Sequence, residues 1–209
     1  MLNLSHLGST TDSTAAERYQ QLQPSQVADG STWFNNPPGR HLSYTREPPK
    51  SIFHDATARL PPAVSEAAVQ QTWNDQYIKR LESARRIRDN PRQTVVLVDT
   101  HTQRSLGNSK PDMIGYLPQA PQQVFNIYLI GENKPRRGSN EGTFTNQEKG
   151  QLVGYLKKLL SMLPHRPFAI GFLTDGVLIQ FFKLHAGTNT IPMKLIETPT
   201  TTLDGKLFF

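Results

Sequence analysis

Lys110-Pro111-Asp112 opens the stretch that decides the fold, and Gln151-Leu152-Val153-Gly154-Tyr155 closes it. Between them lies a mostly apolar run, residues 124–130, which leads straight into Gly131-Glu132-Asn133-Lys134. Asp112, Glu132 and Lys134 thus sit at or just beyond segments that otherwise read as core strands. Burying a carboxylate is costly unless a cation compensates it. Two carboxylates with a lysine beside them therefore point to a divalent-metal site.

Strand parity sharpens this reading. Glu132 and Lys134 are two apart, so on an extended strand both side chains project from one face. Asn133 projects from the other, leaving its carbonyl as a further oxygen ligand. Mg²⁺ takes hard oxygen donors and keeps several waters, so two carboxylates and a carbonyl suffice. A lysine there can orient a water or stabilise charge developing on a phosphate.

Pro111-Asp112 followed by Glu132-Asn133-Lys134 resembles the PD-(D/E)XK nuclease pattern, and Gln151 and Tyr155 resemble the Q-x-x-x-Y element of its RecB and lambda-exonuclease-like branch. The wider run, residues 110–182, is similar to the nuclease-like domain ahead of kinase domains in fungal and oomycete Crinkler-type proteins. The resemblance covers roughly residues 60–185. It implies an α/β fold, a restriction-endonuclease-like mixed central sheet flanked by helices in the order α-β-β-β-α-β-β. It further implies a nuclease using Mg²⁺ or Mn²⁺, with Asp112 and Glu132 on the metal and Lys134 on the attacking water. Gln151 and Tyr155 would orient the lysine or contact the substrate. In this superfamily the first helix often supplies another acid; Glu66 is the candidate and Glu82 its rival. A kinase domain or other protein partner acting in trans belongs to the same expectation.

Around this centre the 209 residues suffice for one sizeable domain. Twenty-three Lys and Arg against 17 Asp and Glu give a net charge of +6. The pI of 9.7 favours polyanionic partners such as nucleic acid; of these, DNA is expected ahead of RNA, though charge does not separate the two. With no cysteine, disulfides, thiolate zinc sites and cysteine nucleophiles are excluded. The six histidines form no close pair at metal-ligand spacing, and neither a Gly-rich phosphate loop nor kinase signatures occur. No secretory signal pattern opens the chain and no apolar run reaches membrane-span length, so an intracellular protein is expected, with a nuclear location fitting its charge.

Residues 1–60 are rich in Ser, Thr, Gln, Asn and Pro, and read as a largely disordered polar leader with Trp33, Phe34, Ile52 and Phe53 as docking points. The nuclease-like domain is placed at 61–190 and a C-terminal extension at 191–209. Ser65 caps a predicted helix from 66 to about 89, with Val69, Trp73, Tyr77, Leu81 and Ala84 as its buried stripe and Arg85, Arg86 and Arg88 in its last turn. Strands are predicted over 94–99, 113–117 and 124–130. A basic surface loop follows from Lys134 to Gly138. Thr145 and Glu148 form a capping box opening a helix to about 163, whose Gly150 and Gly154 are expected to bring it close to the sheet. Strands over 168–173 and 177–184 join at Thr174-Asp175-Gly176, and a last strand falls at 194–196. The carboxylates of Asp112 and Glu132 should be close enough to share one cation, and their repulsion should raise the pKa of at least one. A non-catalytic module keeping the nuclease fold, for nucleic-acid or protein binding, is the alternative.

Overall fold

The computed structural model describes residues 12–22, 25–26, 64–78, 95–117, 119–137, 143–188 and 190–203. Three α-helices occur among them: α1 (Asp12–Gln21), α2 (Glu66–Thr72, continued as a wider π-turn over Trp73–Ile78) and α3 (Asn146–Met162). The strands are β1 (Ser25–Gln26), β2 (Val96–Asp99), β3 (Met113–Tyr116), β4 (Ile127–Asn133), β5 (Phe168–Thr174), β6 (Leu178–His185), β7 (Lys194–Glu197) and β8 (Thr201–Thr202). They form one mixed sheet in the order β1-β7-β6-β5-β4-β3-β2, with β8 also pairing β6. The chain is mixed α/β.

β4 and β5 run parallel, which requires a crossover, and α3 supplies it. The antiparallel pairs β2–β3, β3–β4 and β5–β6 need only short connections. Leu152, Leu156, Leu159 and Leu160 of α3 pack on Ile114, Ile130, Ala169, Leu173 and Phe182 from one sheet face. On the other face Val69 and Trp73 of α2 meet Met113, Phe172 and Phe181. The Trp73 and Phe172 rings lie 5.7 Å apart in a tilted arrangement. Helices thus cover both faces, and alternate residues of β4 serve opposite layers.

The local signals act as physics predicts. Ser65 Oγ accepts from Ala68 N at 3.3 Å, and the Thr145–Glu148 box is complete. The β5–β6 hairpin turns at Gly176, whose φ of 86° is open to glycine at little cost. The 124–130 segment differs from its expected form: Val124–Asn126 is a 3₁₀ turn and the strand runs on through Asn133. Strand geometry therefore extends through Glu132 itself.

Described elements fall on both sides of the expected domain boundaries. Part of the polar leader is folded: α1 packs on α3 with Ala15 and Tyr19 buried, and β1 pairs in parallel with β7. The phenol of Tyr19 donates to Glu197 Oε2 at 2.7 Å, and Lys149 Nζ donates to Tyr19 OH at 3.2 Å and to both Glu197 oxygens at 3.4 Å. A buried ionic group thus offsets the leader's shortage of apolar side chains. The 191–209 extension is likewise not separate through residue 203, since β7 and β8 complete the sheet beside β6. Gly150 and Gly154 face α1 rather than the sheet; an added Cβ at Gly150 would lie 1.7 Å from Ala15 O. Trp33, Phe34, Ile52, Phe53, Glu82 and the Arg85–Arg88 turn lie outside the described residues, as does the side chain of Tyr77.

Candidate active site

The candidate site forms where β4 ends and β3 begins, at the same end of the sheet. Parity places Glu132 and Lys134 on the α3 side, and both are buried, at 2% and 4% exposure. Lys134 Nζ donates to Glu132 Oε1 at 3.1 Å and to Gln151 Oε1 at 2.8 Å. The Gln151 amide turns its nitrogen to Glu132 Oε1 at 2.7 Å and to Tyr155 OH at 3.3 Å. Gln151 and Tyr155 are one helical turn apart, so α3 presents both to the strand end. Four of the five expected catalytic side chains therefore form one hydrogen-bonded group.

Asp112 completes the set from the neighbouring strand. Its backbone N–H donates to Glu132 Oε2 at 3.4 Å, and its Oδ2 accepts from Asn133 N at 2.7 Å. Asp112 and Glu132 are thus brought together, with Lys134 on the same side. Burial, more than repulsion, raises both pKa values. Asp112 is pushed up to about 6, chiefly by burial, with the Asn133 N–H and the Lys134 charge opposing. Glu132 is pushed up to about 8, again chiefly by burial, with Lys134 lowering it and the Asp112 charge adding to the rise. The Tyr155 hydroxyl is pushed upward by burial and then by the Glu132 charge. One ammonium does not compensate two carboxylates here.

Asn133 points the other way, as expected, and Nδ2 donates to Gln70 Oε1 of α2. Its Oδ1 is buried and has no hydrogen-bond partner among the described residues. Glu66 is the first residue of α2, exposed, and it lines an open cleft of about 550 Å³ together with Asp112, Gln70, Asn74, Asp75 and His101. Glu66 is close enough to raise the Asp112 pKa. Among the described residues no three His, Asp or Glu side chains converge as a ready metal cage. The donors that do meet are hard carboxylate oxygens, the ligand type that divalent cations such as Mg²⁺ take.

The loop after Lys134 is pinned rather than free. Val64 and Arg136 exchange backbone hydrogen bonds, and Arg137 makes a fork to Glu148 with its shorter arm at 2.6 Å. Gly138 lies outside the described residues.

Sequence reasoning missed the second wall of the cleft. Gln70 and Asn74 are four apart on α2, one step round from the apolar pair Val69 and Trp73. Asp99 ends β2, and His101 follows two residues later with Nδ1 at 2.5 Å from Asp99 Oδ1. The available signal was polar residues at spacing four beside a core stripe, together with an Asp-x-His at a strand end. Scanning the histidines only for close pairs with one another passed over it.

Residues 66–166 match the family described as a domain of unknown function (DUF6826). The match covers just under half of the chain and includes Glu66, Asp112, Glu132, Lys134, Gln151 and Tyr155, but not β5 through β8. No curated protein and no solved structure matches the chain. Among the described residues, no helix is long and apolar enough to cross a membrane.

Proposed function

We propose that the chain is a metal-dependent phosphodiester hydrolase of restriction-endonuclease-like type, acting on nucleic acid with DNA as the preferred substrate. The observation that carries the reading is the closed group of Glu132, Lys134, Gln151 and Tyr155 meeting Asp112 at one strand end. Mg²⁺ or Mn²⁺ held by Asp112 and Glu132, with Glu66 and the Asn133 carbonyl at hand, would act as a Lewis acid on the phosphoryl oxygens and lower the pKa of a bound water. Lys134, held by Glu132 and Gln151, would orient a water or stabilise charge developing on phosphate. Tyr155 holds the Gln151 amide and keeps its oxygen turned to the lysine. The net charge of +6 supports a polyanionic substrate. The test is incubation of the pure protein with DNA and RNA in Mg²⁺. Cleavage lost in Asp112→Ala and Lys134→Ala supports the reading; activity that survives both unchanged overturns it.

A second reading, a non-catalytic module for nucleic-acid or protein binding, is favoured by one observation. Lys134 already spends two hydrogen bonds inside the protein. Nucleic-acid binding without calorimetric Mg²⁺ binding would select this module. Mg²⁺ binding abolished in Glu132→Gln would reject it.

A further inference from the structure

A line of polar side chains runs along the α2 wall of the cleft, from the strand end at Asn133 to His101. Asn133 Nδ2 donates to Gln70 Oε1, Gln70 Nε2 to Asn74 Oδ1 at 3.4 Å, and Asn74 Nδ2 to Asp99 Oδ2. Asp99 Oδ1 then takes the ring Nδ1 of His101 and, at 3.2 Å, its backbone N–H. The direction of this chain is set from one end. A carboxylate only accepts, so Asn74 must turn its nitrogen to Asp99 and its oxygen to Gln70. Gln70 must then turn its own oxygen to Asn133. The sole acceptor left over is Asn133 Oδ1, the buried oxygen without a partner.

The other end is the informative one. Asp99 accepts from Nδ1–H, which fixes the plane of the ring and leaves Nε2–H as the second donor of the imidazolium. Nε2 is then the nitrogen without a partner among the described residues, on a ring that is 46% exposed and lines the cleft with Asp112 and Glu66. The lining side chains Glu66, Asp75 and Asp112 are acidic, and His101 is the lone basic one among them. A carboxylate behind one ring nitrogen is the arrangement by which an imidazole is oriented toward a ligand at the other. Burial pushes the Asp99 pKa upward, but the bonds from His101 and Asn74 outweigh it and hold the carboxylate below its ordinary range.

We propose that His101 is a substrate-contacting residue. Its imidazolium donates Nε2–H to a phosphodiester oxygen across the cleft from Asp112, with Asp99, Asn74 and Gln70 as positioning residues. This rests on the nuclease reading for its substrate class. It concerns binding alone, so the two can fail separately.

The test follows a fluorescein-labelled single-stranded DNA oligonucleotide by anisotropy, with Ca²⁺ as the divalent ion, on the full chain. His101→Ala should weaken binding roughly tenfold, the loss of one charge-assisted hydrogen bond. His101→Gln, which keeps a donor, should restore part of it, and Asp99→Asn should fall between. Mg²⁺ affinity by calorimetry should stay within about twofold of the parent, a smaller change than one lost hydrogen bond gives. The His101 ring nitrogens should shift in the NMR spectrum when oligonucleotide is added. A His101→Ala protein that binds as tightly as the parent overturns the proposal, as does a parent that binds no oligonucleotide. Loss of Mg²⁺ affinity equal to that of Asp112→Ala overturns it too, by making His101 part of the metal site. Binding with the expected His101 effect but no cleavage in Mg²⁺ removes the nuclease reading and leaves this one standing. Cleavage with an unchanged KM in His101→Ala does the reverse.

Discussion

Two buried clusters in this protein use nearly the same side chains. Tyr19, Lys149 and Glu197 join α1, α3 and β7; Tyr155, Lys134 and Glu132 join α3 to the end of β4. In the first, one ammonium faces one carboxylate and the phenol donates to the same acid. The charges close, and the cluster acts as a fastener for the leader helix. In the second, Asp112 adds another carboxylate, and Gln151 comes between the tyrosine and the acid. Charge is then left over, and both acids hold protons well above their ordinary range. A buried ion pair is made into a site by imbalance, not by residue type.

The largest expected difference separates the two lysines. Lys134→Met should reduce cleavage by about a hundredfold or more, the scale of removing one preorganised transition-state donor. Its unfolding midpoint should change much less, because Glu132 can keep a proton. Lys149→Met should do the opposite. It removes the Lys149 ammonium from Glu197, 3% exposed, and breaking such a pair costs about 3–5 kcal/mol. Denaturant unfolding and turnover per folded molecule measure both effects. If the two variants lose stability equally and activity equally, the two clusters are not different in kind.

Proton linkage sharpens the contrast next. A carboxyl whose folded pKa lies above its unfolded one holds a proton that the unfolded chain has released. For Asp112 that window runs from the ordinary 3.8 to about 6, and for Glu132 from 4.5 to about 8. The unfolded state binds fewer protons there, so the stability of the metal-free protein falls as pH rises through both windows. Mg²⁺ needs the deprotonated carboxylates, so its affinity should climb over the same range. The rise is about tenfold per pH unit for each proton released. Thermal melts at pH 5 and pH 8, with and without Mg²⁺, show the first effect. Calorimetry in two buffers of different ionisation enthalpy counts the protons. A flat metal-free melting curve with no proton release would show that the acids are not strained.

What could be read in the sequence was what is local. The parity of Glu132 and Lys134, the Thr145–Glu148 box, the hairpin at Asp175-Gly176 and the spacing of Gln151 and Tyr155 each involve neighbours in the chain. The fastener could not be read that way, because Tyr19 and Glu197 are 178 residues apart and neither is unusual in its own surroundings. A polar leader scored for apolar content alone looks unable to fold, and α1 folds through one phenol and a close backbone approach instead. The cleft wall escaped for a related reason. Gln70, Asn74 and Asp99 acquire meaning only when α2 and β2 are brought side by side.

The smallest effect gives the finest test of how α1 is seated. Gly150 and Gly154 lie one turn apart on the same face of α3, and intrinsic propensity favours alanine at either position by up to about 1 kcal/mol. Their surroundings differ. A Cβ at Gly154 would meet Arg18 Nη1 at 2.9 Å, the far end of a flexible side chain that can swing aside. A Cβ at Gly150 would meet the backbone of Ala15, with O at 1.7 Å and C at 2.2 Å, and α1 would have to move as a body. Overpacking of that kind costs about 1–3 kcal/mol, enough to reverse the propensity gain. Gly154→Ala should therefore stabilise the protein slightly, while Gly150→Ala should destabilise it and loosen the Tyr19–Glu197 bond. Chemical denaturation of both variants gives the signs, and hydrogen exchange along residues 12–21 reports the seat itself. If both substitutions stabilise alike, α1 does not pack against α3 at Gly150, and the fastener half of the comparison falls.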